Sequence, residues 1–551
     1  MSKHLTSQRY VLKIHTSRLR RAKWDLHMTV GQARENKELI ALSESQIMRF
    51  IDELNNVTNP ELHISNIKSQ IKKLKFEKDI SVSKPKIKRL YAELDKYQFK
   101  KDYICVVIDN DKDYRKIYKS GFKVNGITYR RLLGTTGGVK NSTIVFVNEE
   151  LLPELKRRID NGRNLKKEFT PAKLEAYIAL VCSSSTPVSL PHGVVVVHDC
   201  ITHFTADVIE LNDDGLDQPS MKYVKGKEVS LNDSDGYGLA MPSLMKRWSE
   251  EIGEDFLLPG CVIRNSFCKG AVFPIDFQKF ARDNNVQYIT DVWGNTYDIN
   301  NIELVLTESM LKLWDSYSSI EDYLDNCNKN HYTFAITKSS EENLEHTRTM
   351  NYQFLQSYDF TDDQIDELIA PTVNEIKDIL SGDYRKTILY TKGIGLNDSN
   401  VQHLDASFAT ALMIEPAMID DPFVNSQIYS MIRNRIDEAK VGVLNVPANY
   451  SLVSGDPYSL CQSMFGLEVT GLLKAGQIYS KYWIDHNISR IVSFRAPMTS
   501  HNNIRLLEVA HSPEMDEFYK YMTTPTIFNS WDTCADAMNG FDKDLIISLS
   551  L

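Results

Sequence analysis

The chain has 551 residues and a mass of 63.1 kDa, with 42% hydrophobic and 25% charged residues. That balance excludes a disordered or collagen-like chain, and the length exceeds what one hydrophobic core organises. The net charge of −9 is uneven: residues 1–100 hold 21 Lys/Arg against 11 Asp/Glu, a local +10 that leaves −19 to the remainder.

No run of 18 apolar residues occurs, so no membrane partner is expected. The eight cysteines form no CxxC pair and read as reduced thiols of a cytoplasmic protein. Residues 1–100 read as a helical N-terminal arm. Ile40, Ile47, Phe50, Ile51 and Leu54 recur at helical spacing, as do Ile64, Ile67, Ile71 and Leu74. Asn59-Pro60 breaks one helix, and Ser83-Lys84-Pro85 starts another. The basic excess here suits a nucleic-acid contact and a solvated helical surface equally.

Residues 101–190 read as a mixed α/β region, with strands at "YICVVI" (103–108) and "STIVFV" (142–147) and helix over 150–185. A strand-rich region follows over 191–304, from "GVVVVHD" (193–199) through "GCVIRNSF" (260–267) and "KGAVFPID" (269–276). Residues 305–440 predict a helical insert, with Pro371 in "PTVNEIKDIL" at a helix's first turn. From 441 to 551 strands return, in "VGVLNVPANYSLVSG", "RIVSFRAPM" and "DLIISLSL". The expected fold class is therefore α+β, with two strand-rich regions separated by helices.

Near the end, "NGFDKD" (539–544) sets Asp542 and Asp544 between a turn dipeptide and an apolar run. Residues two apart share a face of a strand, and hard Mg²⁺ favours carboxylate oxygens. Alone, the same pattern reads equally as a surface turn. Upstream, the apolar strand of "IVSFRAPMTSH" (491–501) leads into Arg495-Ala496-Pro497. The first strand-rich region carries "DSDGYG" (233–238), then Arg264, then Lys269-Gly270.

In this order, these motifs resemble the two-barrel RNA polymerase superfamily. It comprises the large subunits of cellular RNA polymerases, eukaryotic silencing-type RNA-dependent polymerases and single-chain polymerases of some bacteriophages. The likeness is above all to the phage and silencing-type enzymes, and it covers about 190–551. It implies two double-psi β-barrels, over 191–304 and 441–551, that together serve template-directed RNA synthesis. Nucleoside triphosphates, a DNA or RNA template and the RNA product are the implied partners, with Mg²⁺ or Mn²⁺ as cofactor. A phage-encoded member would work in the host cytoplasm.

Phosphoryl transfer needs charge held on the attacking, bridging and leaving oxygens. The resemblance gives Asp542 and Asp544 the cation that activates the 3′-oxygen, and Lys269 the phosphate and transcript end. Arg495, followed by Pro497, falls to the ribose hydroxyls, where a planar donor fork can select ribose. Arg264 belongs to the same substrate-binding set. Lys246, in "MKRW", is a candidate second lysine of the first barrel, with an exposed helix charge as its plainer reading.

The sequence also departs from the family's Asp-Phe-Asp-Gly-Asp loop. Laid on Phe541 without a gap, Gly540 replaces its first aspartate and Lys543 its glycine. A site dependent on charge count is weakened by one lost ligand and an added lysine. The chain also closes soon after this loop, where family members continue. Impaired activity, one fragment of a split enzyme completed by a second polypeptide, and a non-catalytic nucleic-acid-binding or assembly protein are the expectations that follow.

Overall fold

The computed structural model describes residues 9–58, 60–75, 80–134, 143–212, 215, 220–350, 352–392, 407–538, 540 and 546–550. The chain forms two compact units. One comprises Met1–Asp199, Ser234–Ser340 and Met464–Leu467; the other comprises Cys200–Asp233, Glu341–Ser463 and Glu468–Leu551.

The first unit holds two seven-stranded sheets. The N-terminal one runs in the order Asp25–Leu26, Phe122–Val124, Ile127–Gly134, Thr143–Asn148, Phe99–Val107, Arg9–His15, Leu39–Leu42. Its central strands are buried on both sides. Tyr103, Cys105, Val145 and Val147 join the core on one face, while Ile104, Val106 and Phe146 join a second cluster on the other. A strand covered twice needs no polar alternation, which is why "YICVV" is continuously apolar.

Within residues 1–100 the longer helices are Gln46–Leu54, Pro60–Lys75 and Ile80–Gln98. Ahead of these, Arg9–His15 and Leu39–Leu42 are strands, paired antiparallel with Val11 opposite Ile40. Ile40 therefore lies in a strand and not in a helix. A four-residue apolar run carries no readable period, and pairing of Arg9–His15 with distant Phe99–Val107 decides its state.

The second sheet of this unit runs Thr186–Pro187, Ala335–Ser339, Cys261–Asn265, Cys268–Pro274, Tyr237–Ala240, Leu304–Thr307, Val194–Val197. Leu304–Thr307 and Ala335–Ser339 thus place strands within the stretch whose pattern predicts helix. Val194–Val197 is wholly buried between parallel Leu304–Thr307 and the core, consistent with its four consecutive valines.

In the second unit, six strands close a barrel in the order Ala448–Ser454, Thr526–Phe528, Gln477–Tyr479, Ile504–Val509, Arg490–Phe494, Ile546–Ser550. Val453, Ile478, Ile491, Leu507 and Phe528 meet in its core. Ala448–Ser454, the first of these strands along the chain, pairs with the last two, so local hairpins alone cannot build this barrel. The unit's helices include Asp362–Leu380 and Pro422–Lys440.

Pro371 lies inside Asp362–Leu380, not at its start, and Pro85 lies inside Ile80–Gln98. The reason at Pro371 is an earlier start signal: Thr361 and Gln364 form a reciprocal capping box. Buried Thr372 then fastens the helix beyond the proline, its Oγ1 accepting from the Asn445 N–H at 2.8 Å. Among the described residues no helix is long and apolar enough to cross a membrane.

Candidate functional site

The glycine motifs of the second sheet in the first unit meet directly. Gly236 adopts φ +81°, its N–H donates to Ser309 Oγ at 2.9 Å, and its carbonyl accepts from the Ala271 N–H at 2.9 Å. A Cβ on Gly270 would stand 2.4 Å from that carbonyl oxygen and 2.7 Å from Met310. Backbone-to-backbone approach at this distance admits only glycine. Gly270→Ala is expected to lower stability by about 2–3 kcal/mol through overpacking, read as a shift of the urea midpoint at constant m. An unshifted midpoint would show that the two segments separate freely.

Arg264 and Lys269 are direct partners across the antiparallel hairpin Cys261–Asn265/Cys268–Pro274. Their side chains share a face and both are half-buried. Two cationic side chains on one face of the hairpin give it a positive field, which attracts anions. Lys312, which no sequence motif marks, adds a third cation. Burial pushes the Cys268 thiol up to about 12, and the fields of Arg264 and Lys312 oppose that shift. A lone lysine in "SMLKLW" carries no motif, and only the fold shows its charge acting here. Lys246 is exposed on the helix Pro242–Glu251, whose Leu244, Met245 and Trp248 face the core.

The second unit brings Arg495 to the threshold of the aspartate loop. In the closed barrel Phe494 stands opposite Ser548, so Arg490–Phe494 leaves from the end at which Ile546–Ser550 enters. Arg495 Nη1 lies 3.5 Å from the carbonyl oxygens of Met538 and of Gly540. Asn503 ties the same two segments: Oδ1 accepts from the Thr499 and Ser500 N–H groups at 2.6 and 3.0 Å, while Nδ2 donates to the Ala537 carbonyl at 2.6 Å. Pro497 is exposed between them.

Gly540 has φ +61° and donates its N–H to the Asp536 carbonyl at 3.0 Å, a left-handed stop for the helix Cys534–Ala537. Asp542 and Asp544 lie outside the described residues, as do Phe541 and Lys543. Among the described residues no group of three His, Cys, Asp or Glu side chains could hold a metal ion.

Asp456, in the turn after Ala448–Ser454, is fully buried. Its Oδ1 accepts from the Tyr519 hydroxyl at 2.5 Å and the Tyr458 N–H at 2.9 Å, and its Oδ2 from the Leu472 N–H at 2.8 Å. Its own N–H donates to Asp233 Oδ2 at 2.9 Å. Burial raises its pKa against the pull of these donors. This carboxylate joins four segments of its unit and faces no solvent.

No family model matches the sequence. The chain is 26% identical over 451 residues to the DNA-directed RNA polymerase YonO of Bacillus phage SPbeta, covering 79% of this chain and 50% of that protein. Its fold matches the RNA dependent RNA polymerase QDE-1 from Thielavia terrestris with a TM-score of 0.53 at 13% identity, covering 81% of this chain and 48% of that one. The chain thus spans about half the length of each relative. The chain is thus similar in sequence to a phage RNA polymerase and in fold to an RNA-dependent RNA polymerase, both of the kind whose motifs it resembles.

Proposed function

We propose that the chain carries the nucleotidyl-transfer core of a template-directed RNA polymerase, extending an RNA 3′-hydroxyl from nucleoside triphosphates. The observation that carries this reading is Arg495 held against the backbone of Met538 and Gly540, immediately before the Asp542–Asp544 loop. An arginine reading the sugar and a carboxylate loop reaching the reacting phosphate are the two parts such a site needs side by side.

In this reading Asp542 and Asp544 hold Mg²⁺, or Mn²⁺, whose bound charge stabilises the attacking and bridging oxygens. Two aspartates offer hard oxygen donors of the right kind, one fewer than the family's loop. Arg495, with Pro497 shaping its turn, orients the ribose of the incoming nucleotide. Arg264 and Lys269, with Lys312 beside them, receive phosphate oxygens; Lys246, exposed on its helix, is the weaker candidate for a second lysine.

The test is primed RNA extension on single-stranded DNA and RNA templates with Mg²⁺ or Mn²⁺. The chain is compared with a version carrying Gly540→Asp and Lys543→Gly. Among the described residues nothing stands within 4 Å of a Cβ at 540, and aspartate enters left-handed backbone at lower cost than most residues. The altered loop is expected to extend primers faster than the chain as it stands. A partner polypeptide restoring extension would assign this chain to a split enzyme. Absence of extension from every combination would turn the reading to a binding or assembly role.

A further inference from the structure

The helices Pro60–Lys75 and Ile80–Gln98 pack on each other through Ile64, Ile67, Ile71 and Leu94. That seam uses the apolar faces of both helices. Between Leu62 and Leu90 the described side chains include eight lysines and arginines, all exposed, and no carboxylate. Lys68, Lys72 and Lys75 follow one another at i, i+4 and i+7, and Lys84 and Lys88 at i and i+4.

Helix stability accounts for only part of this pattern: Lys72, Lys73 and Lys75 lie in the last turn of Pro60–Lys75, where the dipole favours cations, but Lys68, Lys84, Lys86, Lys88 and Arg89 do not. Like charges at i, i+4 repel, and Lys84 and Lys86 sit near the start of the second helix, where the dipole disfavours cations and the first turn holds no acid. None of these lysines has a carboxylate partner among the described residues. The only exposed large apolar side chains described on the pair are Leu62 and Tyr91, too few to anchor a protein interface. The composition is seven lysines to one arginine, which favours point-charge contacts over bidentate base reading.

We propose that the outward faces of this helix pair grip the phosphate backbone of a nucleic-acid duplex without reading its sequence. The stripe from Lys68 to Lys75 spans about 10 Å of helix, against which a duplex sets about six phosphates. The choice of nucleic acid as the anion rests on the polymerase reading; the geometry of the basic stripe does not.

The experiment measures binding of the full chain to a fluorescent DNA duplex and an RNA–DNA hybrid, by anisotropy, over a series of salt concentrations. Two variants are compared: Lys68→Glu/Lys72→Glu/Lys75→Glu, and the neutral Lys68→Gln/Lys72→Gln/Lys75→Gln. The charge reversal is expected to weaken binding at least about 10-fold, and the neutral variant to reduce the slope of log K against log salt by about 2–3, alike for unrelated sequences. Circular dichroism checks the helices, and if the reversal unfolds them the glutamine variant alone decides the outcome. Unchanged affinity and slope in the folded variants would overturn the inference. So would a loss confined to polyglutamate binding, which would assign the surface to an acidic protein. Primer extension is measured separately, so a chain that binds duplex through these lysines yet never extends upholds the inference while the polymerase reading fails.

Discussion

Alanine at Asp542 is expected to reduce primed RNA extension at least about 10³-fold, measured in whichever loop background extends. Losing a carboxylate from a two-aspartate site removes about half of its ligand charge. A bound cation contributes several kcal/mol to a phosphoryl-transfer transition state, and about 4 kcal/mol corresponds to that factor. Asp544→Ala should behave alike. Asp536→Ala, an exposed carboxylate on the preceding helix, should leave extension within about two-fold and serves as the control. The urea midpoint of the Asp542 variant, measured alongside, separates a loss of catalysis from a loss of folding. Extension surviving in Asp542→Ala with Mg²⁺ would sink the assignment of this loop.

The second large effect is on stability. Asp456→Ala is expected to cost about 3–5 kcal/mol, because it strands the Tyr519 hydroxyl and the Tyr458 and Leu472 N–H groups in a buried site. Asp456→Asn keeps one acceptor and turns an amide towards a donor, for an expected loss of about 2–3 kcal/mol. Burial raises this group's pKa above its ordinary 3.8. A raised folded-state pKa means that the contribution is complete below pH 3.8 and is lost as pH rises through the folded value. The advantage of aspartate over asparagine at 456 should therefore narrow with rising pH above that point. Urea unfolding of both proteins at matched pH reads this difference directly, and a gap that widens with pH would reverse the assignment.

Much of the site is legible in the sequence because its chemistry forces residue type. Gly270 is fixed by a backbone contact that no side chain tolerates and Gly236 by its left-handed φ, and their two motifs meet in the fold. Arg495 can be read because an apolar strand delivers it, and the strand Arg490–Phe494 ends one residue before it. In the sequence Gly540 is only a missing aspartate, whereas the fold gives it a left-handed φ and a helix to end. Asn503 is silent in the sequence, because nothing in "SHNN" announces that one amide will satisfy two N–H groups of its own loop and a carbonyl of another segment.

The sequence by itself determined which segments carry strands and helices where apolar periods are long, and which residue types stand in the motifs. The tertiary structure decided what local pattern leaves open. Short runs such as Leu39–Leu42 became strand because a distant partner strand offered hydrogen bonds. Pro371 stayed within a helix because the capping box before it and the buried Thr372 after it outweigh one missing N–H. Lys312 comes to the Arg264–Lys269 hairpin only through the fold, its N–H donating to the Phe267 carbonyl in the hairpin's turn at 3.2 Å. At Leu39–Leu42, at Thr372 with Asn445, and at Lys312, pairing and contact act across space, between residues that the order of the chain keeps apart.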